Sequence, residues 1–314
     1  MINNDFEDII EINISDSTPV ERIDKYLSDA LTGENRTFSR SYVQKLIDDG
    51  LVLVNGQNEK SNYKISPNDC ITVMIPYPKE LKIEPENIPL DIVYEDDDVI
   101  LVNKPKGMVV HPAAGHYSGT LVNALMYHCK DNLSGINGAI RPGIVHRIDM
   151  NTTGIIIACK NDKSHICISK QLKEHSVTRY YYAICHNCFS ENSGTINAPI
   201  GRHPLDRKKM AINYKNGKEA VTNYEVIENL KNYAFIKCIL ETGRTHQIRV
   251  HMASISHPLL GDDVYCNATS PFKLEGQTLH AGVLGFIHPT TGRYMEFSAP
   301  LPDYFEKVLK KLRV

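Results

Sequence analysis

One carboxylate stands in a setting that invites chemistry. Asp149 lies in "GIVHRIDMNTTGIIIACKND" (143–162), just after His146 and Arg147 and just before a Thr-Thr-Gly turn, with apolar runs on both sides. An aspartate where a strand gives way to a turn commonly bonds nearby backbone amides. A lone carboxylate at the mouth of a buried sheet can also serve as nucleophile or base. Position alone favours the turn.

Two denser motifs downstream bear on the choice. In "RYYYA" (179–183) strand alternation puts Arg179, Tyr181 and Ala183 on one face and Tyr180 and Tyr182 on the other. One face can offer a tyrosine ring to a stacked base, or the rings can simply pack the sheet. In "ETGRTHQIRVHMASISHPLLGD" (241–262) a helix would set Arg249 beside Met252 and Ala253, with His246 and His251 elsewhere. The histidine spacings place no two on one helical face and contain no His-Glu-x-x-His, which speaks against a metal site. An arginine such as Arg249 brought beside Asp149 would favour its charged form.

Other chemistries fit poorly. "HRID" differs from the protein-kinase His-Arg-Asp by an intervening Ile, and the kinase Gly-rich loop and Asp-Phe-Gly are missing. A two-carboxylate glycosidase needs a partner acid that does not stand out. "CHNC" (Cys185, Cys188) has the spacing of a metal or redox pair without a second pair, so it reads as structural or incidental.

The elements that must hold these residues are legible in outline. Apolar positions at Ile23, Tyr26, Leu27, Ala30 and Leu31 give one helical face, and "SRSYVQKLIDDG" gives a second helix capped by Ser39 and ended by Gly50. "LVLVNG" and "DCITVMIP" read as strands, the first running into an Asn-Gly turn. These make a module at 1–76, followed by a Pro-rich linker at 77–90 and a larger domain at 91–314. There, "IVYEDDDVILVNKPKG" predicts two strands and "SGTLVNALMYH" a capped helix. "GIVHRID", "GIIIACK", "RYYYAIC", "EAVTNYEVI" and "YAFIKCILE" predict further strands, with a helix near 164–175. Many strands with few helices imply an α+β fold around a mixed, mainly antiparallel sheet, beside a small N-terminal α/β module.

Composition sets the remaining bounds. The acidic, polar start "MINNDFEDIIEIN" argues against a secretory or transit peptide, and no apolar run nears the roughly 20 residues of a membrane span. A soluble, cytoplasmic protein with reduced thiols is expected. The net charge of −2 conceals an asymmetry: residues 1–76 carry 7 Lys+Arg against 13 Asp+Glu, residues 131–314 carry 23 against 16. "GRHPLDRKKMAINYKNGK" (201–218) holds six basic residues and one acid. Such a patch attracts phosphates or is a solvated loop.

Together these motifs resemble a known family. "HRIDMNTTG" is similar to the His-Arg-Leu-Asp-x-x-Thr-Ser-Gly signature of the RluA/RluD branch of RNA pseudouridine synthases, with Ile148 for Leu, Thr153 for Ser and Met150 at an often basic position. "RYYYA" resembles its Arg-x-Tyr-x-Ala, and "GRTHQIRVHMASISHPLLGDDVY" its third motif. The likeness runs from about Tyr94 to Pro302, and 18–76 resembles the small RNA-binding domain of ribosomal small-subunit protein four.

The resemblance implies an isomerase that converts uridine to pseudouridine, most plainly in large-subunit ribosomal RNA, as a monomer without cofactor, metal or membrane. A transfer-RNA synthase and a non-catalytic ribosome-assembly factor are the alternatives. It implies Asp149 as catalytic carboxylate, attacking base or sugar or removing a sugar proton. Tyr181 would stack on the extruded uracil, Arg249 pair with Asp149, and Arg147 fill the vacated stack. The other RNA contacts implied are His146, Arg202, Arg207, Lys208, Lys209, Arg244 and His246.

Overall fold

The Asn-Gly pair of the first module turns the chain because both residues take positive φ (Asn55 52°, Gly56 79°), the geometry of a tight hairpin. In this computed structural model the described residues are 6–31, 38–77, 83–113, 115–130, 132–136, 138, 141–206, 209–268 and 270–314. The chain divides into two units, Met1–Glu80 and Leu81–Val314.

The small unit runs β1 (Phe6–Asn13), α1 (Ile23–Ala30), α2 (Arg40–Asp48), β2 (Val52–Val54), β3 (Gln57–Asn58) and β4 (Cys70–Pro76), with sheet order β1-β4-β2-β3. Ser39 caps α2 by accepting the Tyr42 N–H at 3.3 Å, and Gly50 follows its end with φ 72°. The core packs Ile23, Leu27, Val43 and Leu46 against Ile71 and Val73. Each such buried side chain contributes about 1.5–3 kcal/mol. β1, unforeseen in the sequence, is an edge strand paired antiparallel with β4.

The large unit contains β5 (Ile92–Glu95), β6 (Val99–Lys104), α3 (Leu121–Cys129), β7 (Thr153–Cys159), α4 (Asp162–Lys173), β8 (Thr178–His186), β9 (Ser193–Asn197), β10 (Ile200–Arg202) and β11 (Met210–Ile212). It continues with β12 (Val221–Leu230), β13 (Tyr233–Leu240), α5 (Gln247–Ser254), β14 (Leu279–Ile287), β15 (Tyr294–Ser298) and α6 (Asp303–Leu312). Among the described residues the sheet has nine strands in the order β5-β6-β7-β14-β8-β13-β12-β9, with β15 beside β14. Neighbours are antiparallel except β7 and β14. The fold is thus α+β on a mixed, mainly antiparallel sheet. Tyr181, Ala183 and Cys185 of β8 share one face with Ile148, Ile248 and Met252. Ile184 and Tyr182 share the other with Phe235 and Phe305.

Two expectations need correction. "GIVHRID" is not a strand: only Ile144 makes a bridge, to Ala158, and the rest is turn, bend and loop. The described part of the Pro-rich stretch is not free linker either. Ile83 is buried in the large unit's core, Asn123 donates to the Glu84 carbonyl at 2.7 Å, and the Glu86 carboxylate accepts the Gly119 N–H. Among the described residues no helix is long and apolar enough to cross a membrane.

Candidate active site

The loop that carries Asp149 is held from beneath. Lys104, fully buried, donates its ammonium to the carbonyls of Pro105 (2.8 Å), Met108 (2.8 Å) and Met150 (3.0 Å). Burial pushes its pKa down to about 7 against the pull of Asp149. On the N-terminal side, His146 Nε2 accepts the Ile157 N–H at 3.0 Å. On the C-terminal side, the Thr152 N–H reaches the Asp149 carbonyl at 3.0 Å, and Thr152 Oγ1 accepts from Gln277. Gly154 has φ 109°, and a Cβ there would run into the Ala281 carbonyl of β14. The glycine of "NTTG" therefore lets two parallel strands close up beside the acid.

Asp149 does not cap its turn with its side chain. Its carboxylate accepts from Arg249 Nη1 at 3.0 Å, and Oδ1 lies 3.8 Å from His246 Nε2. Arg249, on α5, also makes a two-pronged bond to the buried Asp262, 2.7 Å from Nε and 2.9 Å from Nη2. Burial disfavours the guanidinium charge, but Asp262 and then Asp149 outweigh it and raise its pKa. Asp262 is further fixed by the N–H groups of Val264 and Tyr265.

His246 caps α5 in the left-handed region, φ 56° and ψ 20°, a strained conformation of the kind that gathers at functional sites. The Tyr265 hydroxyl accepts the Met210 N–H of β11 at 2.8 Å and sits 2.8 Å from His246 Nδ1. With the hydroxyl donating to Nδ1, the ring hydrogen rests on Nε2, toward Asp149.

These groups open on a cavity of about 370 Å³ and an adjoining one of about 50 Å³, which share Arg147, Asp149, Tyr181, Leu240, Arg244 and His246. Tyr181 is buried, and that burial raises its pKa, so the hydroxyl stays protonated. Arg147 is exposed and donates to Thr245 Oγ1 at 3.0 Å. Arg244 reaches the Glu219 carbonyl at 2.8 Å through Nε. A carboxylate presented by a fixed guanidinium, beside an aromatic ring, suits attack on or proton transfer from a bound planar base.

The structure thus brings Asp149, Tyr181, Arg249, Arg147, Arg244, His146 and His246 together. Arg202 and Lys209 lie instead on the arm formed by β10 and β11, and neither lines the cavity. Arg207 and Lys208 lie outside the described residues. His146 is in the cavity wall, but its contact is with the protein's own backbone. Burial, then Arg179, pushes its pKa down to about 3, so it is a neutral pin for the loop rather than a cation for phosphate. Sequence reasoning missed Lys104, Asp262 and Tyr265. The "GDDVY" that ends the third motif was the available signal for the last two. Among the described residues no group of His, Cys, Asp or Glu could hold a metal ion, and Cys188 donates to the Lys231 carbonyl.

Comparison with known proteins identifies the family. Residues 98–254 match the family described as RNA pseudouridylate synthase, and residues 21–71 match the S4 domain. The chain is 51% identical to an uncharacterized RNA pseudouridine synthase of Bacillus subtilis, covering 97% of this chain and 98% of that one. It is 45% identical to a ribosomal large subunit pseudouridine synthase D of Zymomonas mobilis, with 93% and 94% covered. In fold it is similar to human RNA pseudouridylate synthase domain containing 1, with a TM-score of 0.55 at 24% identity over 76% of this chain and 97% of that one. With a relative matched over nearly its whole length, the chain belongs to the RNA pseudouridine synthase family.

Proposed function

We propose that this enzyme isomerises particular uridines of large-subunit ribosomal RNA, with Asp149 as its catalytic carboxylate. The observation that carries the reading is Asp149 held 3.0 Å from Arg249 in the wall of a cavity that also contains Tyr181. The bond from ribose C1′ to uracil N1 breaks, the base turns, and C1′ bonds to C5. The C5 hydrogen leaves as a proton and N1 takes one up, so the reaction balances without a co-reactant.

Extruding the uridine costs a few kcal/mol. Tyr181 stacking on the base returns about 1–3 kcal/mol, and Arg147, exposed at the rim, fills the vacated stack. The ribosomal substrate is supported by relatives named ribosomal large subunit pseudouridine synthase D in Zymomonas mobilis and Pasteurella multocida.

The small unit serves as an RNA grip despite its acidity. Its buried Asp24 accepts two bonds each from Arg22 and Arg40 and one from Gln44, which fixes both guanidiniums at the surface. Mapping pseudouridines in ribosomal and transfer RNA, with and without the gene, tests the reading. Specific ribosomal positions should lose the modification. An unchanged map would overturn it, and loss confined to transfer RNA would replace the substrate.

A further inference from the structure

The cavity is more basic than a uracil ring requires. Arg147, Arg179, Arg244 and Lys173 all line it, and among the described residues the only carboxylate in its wall is Asp149, already engaged with Arg249. Arg179 is the anomalous member. It is 6% exposed, Nη2 donates to the Glu241 carbonyl at 3.0 Å, and Nε is buried without a hydrogen-bond partner. None of its hydrogen bonds goes to a carboxylate. Burial disfavours its charge, and Arg244 nearby adds repulsion.

A buried guanidinium with an open bonding position is costly unless an anion completes it. Space is kept for this one, because a Cβ on Gly243, also in the cavity wall, would lie 2.6 Å from Arg179 Nη1. Lys173, in the last turn of α4, is exposed on the same wall and has no ion-pair partner among the described residues.

We infer that Arg179, Arg244 and Lys173 form an anion subsite that takes a backbone phosphate of the RNA next to the uridine being isomerised. The inference rests on the proposed reading of the cavity as the uridine pocket. Arg179 then acts in substrate binding and placement, not on the reacting atoms. A phosphate supplies the acceptor that Nε lacks, and its negative charge relieves the repulsion between the two arginines. Arg202 and Lys209 of the 201–218 arm do not line the cavity, whereas this subsite lies in the same wall as the carboxylate.

The test is a charge-for-charge cycle. Short RNAs containing a target uridine are made with one neutral methylphosphonate linkage on its 5′ or its 3′ side, and compared with the all-phosphate RNA. With wild-type enzyme, one of the two neutral linkages should lower kcat/KM about tenfold, mainly through KM. With Arg179→Gln the all-phosphate RNA should lose a similar factor, and the neutral linkage should cost nothing more.

Should Arg179→Gln fail to fold, the same cycle is run with Gly243→Ala, which crowds the guanidinium, and with Lys173→Gln at the surface. No effect of either neutral linkage on wild type, or losses that simply multiply, would overturn the subsite. Binding of the same RNAs, read by fluorescence anisotropy, reports the coupling even for an RNA that is not isomerised. Failure of the subsite and failure of the isomerase reading are therefore separable.

Discussion

Both units build a cluster from arginine and aspartate, and they build it with opposite stoichiometry. In the small unit one fully buried carboxylate, Asp24, is shared by Arg22 and Arg40, whose side chains are 45% and 48% exposed. In the large unit one buried guanidinium, Arg249 at 6%, is shared by the fully buried Asp262 and by Asp149 at 23%. The inner group sets the geometry, and the surplus partner faces outward. In the first case cations face solvent, which suits phosphates. In the second a carboxylate faces a cavity, which suits chemistry. Arginine–aspartate geometry is the same in both, and the counting decides the use.

The comparison can be broken at each end. Asp149→Asn removes the outward carboxylate and keeps its shape. Pseudouridine formation, followed by tritium release from RNA labelled at uracil C5, should fall on the order of 10⁴-fold, with little change in melting temperature. Full activity would end the assignment. Arg249→Met leaves Asp262 buried without its partner and should destabilise the large unit by about 3–5 kcal/mol in urea unfolding. Lys104→Met orphans three carbonyls under the Asp149 loop and should cost about 2–4 kcal/mol, with activity lost beyond what the stability change explains.

In the small unit, Arg22→Gln with Arg40→Gln should leave kcat unchanged, weaken RNA binding and lower the log–log salt slope by about 1–2. A slope equal to wild type would make that cluster structural only.

The smallest effect concerns pH. The native His146 ring stays neutral down to about pH 3, whereas the unfolded chain protonates near its ordinary value of about 6.5. The unfolded state therefore binds more protons between these limits, and the stability the ring supplies is complete above about 6.5 and is lost as pH falls toward 3. His146→Gln keeps an acceptor for the Ile157 N–H without titrating, so its unfolding free energy should fall less steeply on acidification.

Much of this was legible in the sequence, for a physical reason. The alternation in "RYYYA" follows from the pleat, which is why Tyr181 and Ala183 share a face with Ile148 while Tyr182 and Ile184 point away. "GIVHRID" misled because apolar residues in extended chain look alike in strand and loop. Here the His146 ring, not a strand carbonyl, satisfies the Ile157 N–H of β7. The charges of "FEDIIEIN" disguise β1 as a polar start, because an edge strand tolerates exposed charges. Asp262 stands in "GDDVY", but its pairing with Arg249 depends on how 247–254 and 262–265 fold together. In sequence Arg179 is one residue of a strand face, and the unpartnered Nε that sets it apart exists only in three dimensions.

The parallel contact of β7 with β14 also sets an order in time. The small unit is complete in sequence by Pro76 and can fold as soon as that stretch leaves the ribosome. Asp149, by contrast, is followed directly by a strand whose parallel neighbour arrives only with His280 and Ala281, while Gln277 secures Thr152. At about 5–20 residues per second, a nascent chain therefore holds its solvent-facing arginines for many seconds before Asp149 is fixed in its cavity wall. Any chain cut short before residue 281 acquires the first and never the second.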